Sequence, residues 1–138
     1  MVKQIAIFIE NQKGFLRKVT NVLHEQNIGI FAVSTIDSPE FGIVRMIVDQ
    51  PAQAVEVLTQ NGFVAKSCEV IAVEIKEQKT MDELLEVVHE GNININYIYS
   101  SFGLAGGYPA VILHAADMDE TEDMLCNKGF HCLTKIEG

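Results

Sequence analysis

HEQNIGI at positions 24–30 and HEGNINI at positions 89–95 are nearly the same heptapeptide. In each, a histidine and a glutamate lead through an asparagine to a pair of isoleucines, with all seven positions in register. Such a match is either chance or the mark of a duplicated unit. The pattern on either side decides between the two.

Upstream of the first heptapeptide, KQIAIFI (3–9) reads as a short strand. Phe15, Leu16, Val19, Val22 and Leu23 then fall at helical spacing and form one apolar stripe. Downstream, IGIFAVSTI (28–36) and GIVRMIVD (42–49) read as two strands of a hairpin that turns through DSPEFG. Pro51 suits the first turn of a second helix, where its missing N–H costs nothing. Asn61-Gly62 stops that helix, because both residues tolerate a left-handed backbone. FVAKSCEV (63–70) returns as a strand.

From Val70 the order starts again. VIAVEI is a strand, and Met81, Leu84, Leu85 and Val88 stripe a helix that closes at Gly91. ININYIYS (93–100) is a strand, SFGLAGGYP a loop and AVILHA (110–115) a strand. Asp117 is the expected N-cap of a last helix, which stops at Lys128-Gly129, and FHCLTKI ends the chain as a strand. Lys128-Gly129-Phe130 repeats Asn61-Gly62-Phe63 in kind. The heptapeptide recurs because a six-element unit recurs.

Strand, helix, strand, strand, helix, strand is the ferredoxin-like order. The expected fold is therefore α+β: two ferredoxin-like βαββαβ units side by side, with antiparallel sheets and helices on one face. Their expected extents are 1–69 and 70–138, with no Pro/Gly/Ser-rich linker between them.

Composition narrows the function. An apolar fraction of 48% and a charged fraction of 21% belong to a compact soluble protein. A chain of this length buries roughly two-thirds of its unfolded surface, so it needs no disulfide or metal staple. The net charge of −9 repels phosphate backbones and anionic lipid, which argues against nucleic acid and membrane as partners. No apolar run approaches the roughly 18 residues of a bilayer span. MVKQIAIFIENQ has no small-residue cleavage site and reads as a first strand, not a signal peptide. Cys68, Cys126 and Cys132 are an odd count with no CxxC, as expected of reduced core thiols in a cytoplasmic protein. Cys126, His131 and Cys132 lack the paired short spacings of structural zinc, so no metal or other cofactor is expected.

Two strands are apolar on both faces. Ile43 and Ile47 oppose Val44, Met46 and Val48, and Ile5, Ile7 and Ile9 oppose Ala6 and Phe8. A sheet with helices on one side should have a polar open face. The expectation is a second copy of the chain against it, a homodimer.

For chemistry, the turn E-N-Q-K-G-F-L (10–16) between first strand and first helix stands out. A helix N-terminus offers unpaired N–H groups to a carboxylate. Gly14 permits a sharp turn and a close ligand approach, and Asn11 and Gln12 add amides. Beside this stands the plainer reading of an ordinary capped helix start. His24 and His89 sit near helix C-termini, where imidazolium suits the dipole. His114 is expected to be structural. Gly103, Gly106 and Gly107 lie between strands and read as a hairpin tip able to act as a lid, not as a phosphate loop. No Ser/His/Asp or Cys/His spacing suggests an active site.

These features resemble the ACT domains, small regulatory modules that bind amino acids. The resemblance covers the whole chain as two copies. It rests on the six-element order, on Gly14 followed by Phe15 and Leu16, and on NIGI and NINI entering the second strand of each copy. It implies a ligand loop of Asn11, Gln12, Lys13, Gly14, Phe15 and Leu16, with Lys13 where many members have proline. The matching stretch of copy two is Glu77, Gln78, Lys79, Thr80 and Met81. It has no glycine, and Thr80 is the residue able to cap its helix, so the two pockets are expected to differ. Family members place ligands at the interface between modules, which brings in Asn92, Asn94 and Tyr97. Strand alternation sets Asn94 and Asn96 on one face and Ile95 and Tyr97 on the other.

The function implied is a stand-alone, non-catalytic amino-acid sensor. Its ligand is a free amino acid, with a lean toward a polar one, and its readout is allosteric regulation of an enzyme of amino-acid metabolism. Two other readings stay open: a docking module that works without ligand, and a small enzyme of ferredoxin-like fold.

Overall fold

The computed structural model describes residues 1–10, 13–37, 41–102 and 108–134. They divide into two compact units, one of Lys3–Cys68 and one of Met1–Val2 with the residues from Glu69 onward.

The first unit holds β1 (Val2–Glu10), α1 (Phe15–Glu25), β2 (Ile30–Asp37), β3 (Phe41–Val48), α2 (Pro51–Gln60) and the start of β4 (Val64–Glu74). Its strands neighbour one another in the order β2-β3-β1-β4. β1 and β2 both run antiparallel to β3, with Ile7 opposite Val44 and Thr35 opposite Val44 on its two sides. The helical stripes read from the sequence land on one face. Val19 and Leu23 from α1 and Ala54 and Leu58 from α2 pack on Ile5, Ile7, Val44, Met46 and Val48. Each fully buried leucine there contributes about 1.5–3 kcal/mol. On the opposite face, Gln4, Ala32 and Ile47 are also buried within the single chain, whereas Phe8 is 41% exposed.

The second unit takes the rest of β4, then α3 (Gln78–Glu90), β5 (Ile95–Ser100), β6 (Ala110–Ala115) and α4 (Met118–Asn127). β6 is antiparallel to β4, with Ile71 opposite Leu113 and Val73 opposite Val111, and antiparallel to β5. Leu84 and Val88 from α3 and Leu125 from α4 cover Ile71, Val73, Val111 and Leu113. Past α4 the chain returns to β4: Cys132 bridges Val73, Leu133 N–H donates to the Ala72 carbonyl at 2.8 Å, and Glu74 N–H donates to the His131 carbonyl at 3.0 Å. The described part of FHCLTKI thus makes a bridge, not a full ladder.

The expected strands FVAKSCEV and VIAVEI are one. β4 is an eleven-residue strand, half-exposed through residue 69 and fully buried from Val70. Nothing in VAKSCEVIAVE breaks a strand, since it has neither glycine nor proline.

The repeated heptapeptide is a helix stop. Asn27 and Asn92 hold left-handed backbones at φ 56° and 54°. Asn27 N–H donates to the His24 carbonyl and Ile28 N–H to the Leu23 carbonyl, both at 3.0 Å. Asn92 and Ile93 do the same to His89 and Val88, both at 3.1 Å. This pair of bonds is the Schellman motif, and the isoleucine that follows drops onto the helix it ends. Gly62 and Gly129 fill the same role for α2 and α4, at φ 87° and 93°. In α3 the glycine just before the stop, Gly91, serves packing: a Cβ there would lie 2.8 Å from the Met124 sulfur.

Candidate functional site

β1 ends at Glu10, and α1 begins at Phe15. Between them, Asn11 and Gln12 lie outside the described residues, Lys13 is exposed, and Gly14 is the N-cap of α1. Gly14 has φ 80° and ψ 8°, a left-handed conformation in which other residues are strained, and a Cβ there would meet nothing within 4 Å. The glycine is needed for its backbone, not for space. Its carbonyl accepts the first helical bond, from Lys18 N–H at 3.2 Å. Among the described residues no side chain caps this helix start, and its first turn carries no acid. The first-turn N–H groups of a helix have no intrahelical partner and carry partial positive charge. Lys13, Arg17 and Lys18 place three of the ten basic residues around this one turn, in a chain of net charge −9.

The two apolar residues of this loop diverge. Phe15 is half-buried and meets Phe63 edge-on, with ring centroids 5.2 Å apart, so it anchors the helix start. Leu16 points outward and is 40% exposed.

The stretch expected to match in copy two is built differently. Glu77 is the N-cap of α3, with an extended backbone, and Gln78 and Lys79 already belong to the helix. Thr80 therefore does not cap α3; its N–H donates to the Glu77 carbonyl at 3.1 Å inside the first turn. Lys79 pairs with Glu77 at 3.6 Å. Met81 packs on the apolar core. Measured from the helix stop, α3 begins two residues sooner than α1, and no left-handed glycine intervenes.

Of the other expected residues, Asn92 is the helix stop itself. Asn94 accepts Ala116 N–H on its backbone carbonyl at 3.0 Å and lines, with Asn92, Asp117 and Glu120, a cleft of about 200 Å³. Tyr97 stacks on His114, 5.1 Å between centroids at 11°, and on Tyr99 at 6.4 Å. The alternation read from the sequence fails here. A β-bulge between Ile95 and Tyr97 sets Ile95 opposite Ala115 and Tyr97 opposite His114, so a single step along β6 spans two along β5. Ile95 packs on the helix-side core, and Tyr97 goes to the other face with His114. Asn96, at the bulge, bonds the His114 ring at 2.9 Å. β2 has the same shift between Ile30 and Ala32.

Two features were not singled out in the sequence. Asp49 accepts Gly29 N–H on its carboxylate at 3.1 Å, closing the end of β2 in copy one, where copy two has Ala116 against Asn94. Arg17, Thr20, Asn21 and His24, spaced along the polar side of α1, line a cleft of about 410 Å³ with Gly29. Their three- and four-residue spacing was the available signal, as the complement of the apolar stripe. Among the described residues no group of three or more His, Cys, Asp or Glu is placed to hold a metal ion. No described helix is long and apolar enough to cross a membrane.

A duplicated ferredoxin-like chain with a left-handed glycine at the first strand-to-helix turn defines a class, and sequence comparison names it. The model of the ACT domain pair matches residues 1–135, and the chain belongs to that family. Among solved structures, it is similar to protein BT0572 from Bacteroides thetaiotaomicron, with 28% identity, TM-score 0.83, and coverage of 96% of this chain and 91% of that one. The regulatory subunit of aspartate kinase from Thermus thermophilus, in its ligand-free form, shares the fold at 19% identity and TM-score 0.61 over 92% of each chain. The corresponding subunit from Thermus flavus does so at 19% identity and TM-score 0.57, over 91% of this chain and 90% of that one. No curated protein matches the sequence.

Proposed function

We propose that this chain is a non-catalytic amino-acid sensor, and that the carboxylate of a free amino acid sits on the open N–H groups at the start of α1. The observation that carries this reading is the left-handed Gly14 at the N-cap of α1, a position with no side chain of its own to cover the helix start. The first-turn N–H groups of α1 take no bond from a side chain at the N-cap, and Lys13, Arg17 and Lys18 add a favourable field for an anion. The α3 start has its own acid at the cap, and α4 is capped by Asp117 with Asp119 and Glu120 behind it. Both repel a carboxylate. Copy two is therefore silent toward this ligand mode, and one amino acid binds per chain. The fold shared with regulatory subunits of aspartate kinase motivates placing the readout in a separate enzyme of amino-acid metabolism. A cytoplasmic homodimer completes the reading, with the exposed Phe8 on β1 as the apolar contact that a second copy would cover.

Gly14→Val tests it by calorimetry. The open space around Gly14 lets the variant fold, while its loop leaves the left-handed conformation. The expected result is affinity for the cognate amino acid weakened by about tenfold or more, at least ~1.4 kcal/mol, with cooperative unfolding kept. Unchanged affinity in a folded variant would move the ligand elsewhere. A chain that binds no amino acid in either form is the docking module instead.

A further inference from the structure

The cleft of about 410 Å³ lies between the polar side of α1 and the start of β2, and of its lining only Arg17 has a part in the sensor reading. Arg17, Asn21 and His24 follow one another at steps of four and three residues, so they share one side of the helix. All three are exposed, and among the described residues none has a side-chain hydrogen bond or ion pair. Thr20 differs, because its hydroxyl donates to the Arg17 carbonyl at 3.1 Å. Buried Ile28, with Gly29 and Ile30, completes the lining. Asp49, the acid that follows β3, is engaged by Gly29 N–H at 3.1 Å and is not part of it. Charge sets this place apart. α1 carries two basic residues against one acid, whereas α3 carries one against four and α4 none against four. Counted from the helix stops, Arg17, Thr20 and Asn21 correspond to Asp82, Leu85 and Glu86 of α3, and only His24 is kept, as His89. One copy holds donors where the other holds acids.

We propose that this cleft is a second ligand site, for a phosphoryl group, taken as free phosphate or on a small phosphate monoester. The Arg17 guanidinium presents parallel N–H donors that suit two oxygens of one phosphate. The Asn21 amide and the His24 ring each add a donor, so the three side chains together match the three terminal oxygens of a monoester. A carboxylate, with two oxygens, leaves one of these donors unmatched. The cleft is larger than a phosphate ion, and Ile28 and Ile30 give the carbon part of an ester an apolar neighbour. The corresponding side of α3, with Asp82 and Glu86, repels the same ligand. The site does not depend on the Gly14 turn, so a chain that senses no amino acid would still have it.

The test is an NMR titration of the native protein with inorganic phosphate and with glycerol 3-phosphate, at an ionic strength held constant with chloride. The expected result is a set of amide shifts centred on Thr20, Asn21, His24 and Gly29 that saturates at millimolar ligand. Tighter binding of the ester identifies a phosphorylated metabolite as the source, and equal binding identifies the free ion. Asn21→Glu, which puts the residue of copy two on an exposed helix position, should weaken either ligand by about tenfold or more. It should leave any amino-acid response intact, whereas Gly14→Val should leave the phosphate response intact, so the two readings fail separately. Shifts that do not saturate, that centre on the Gly14 turn, or that persist unchanged in a folded Asn21→Glu chain overturn the proposal.

Discussion

Asn27 and Asn92 show what a single residue does in this chain. Each sits at a φ near +55°, where a side chain beyond Asn or Gly is strained by about 1–2 kcal/mol. Asn27→Ala and Asn92→Ala should each lower stability by about 1 kcal/mol, a fall in Tm of roughly 3–5 °C by calorimetry. The matching glycine variants should lose none of it, because glycine adopts this conformation freely. A cost at one asparagine and none at the other would contradict the common role given to them. The repetition of HEQNIGI as HEGNINI and the duplication behind it were legible from residues alone, but the part each asparagine plays as the left-handed helix stop was not. Gly62 and Gly129 announce a left-handed stop, while asparagine is as much at home in a turn or a loop. Thr80 misled for the same kind of reason. A threonine near a helix start suggests a cap, yet the cap falls wherever the helix first makes its bonds, and here that is Glu77.

At the scale of elements, apolar spacing was the reliable signal. The stripes read for α1 and α3 bury Val19 and Leu23 in one unit and Leu84 and Val88 in the other, at the same distance from each helix stop. Leu23→Ala and Leu84→Ala should each cost about 2–5 kcal/mol, read from denaturant midpoints. The α4 cap is worth less. Asp117 accepts Glu120 N–H at 2.9 Å, and Asp117→Ala should cost about 1 kcal/mol. Strand faces were harder to read. Alternation holds only while pairing stays one to one, and the bulge in β5 moves Tyr97 to the face opposite Ile95. Both β2 and β5 carry this bulge at the same place, so it belongs to the duplicated unit. The merging of two expected strands into β4 follows from what the segment lacks: no glycine or proline marks the point where one unit gives way to the next.

For the whole molecule, duplication followed by divergence is the central fact. The two copies keep their helix stops, bulges and core positions. They differ at the turn proposed to bind ligand, where copy one has a left-handed glycine among Lys13, Arg17 and Lys18, and copy two has an extended Glu77 at the N-cap position. A titration should therefore reach one amino acid per chain. The family and the fold could be read from the sequence, because element order and helix stops are local signals. The inequality of the copies could be read only in outline, from a missing glycine. The most direct measurement is a thermal-shift screen of the native protein against the twenty standard amino acids, with nucleotides and divalent metals as controls. At about 100 times its dissociation constant a ligand adds ~2.7 kcal/mol, and for a chain of this size that raises Tm by roughly 10 °C. The sensor account predicts such a rise with one or a few amino acids and none with the controls. A flat response to all twenty at millimolar concentration would contradict it and leave a module that regulates by docking alone.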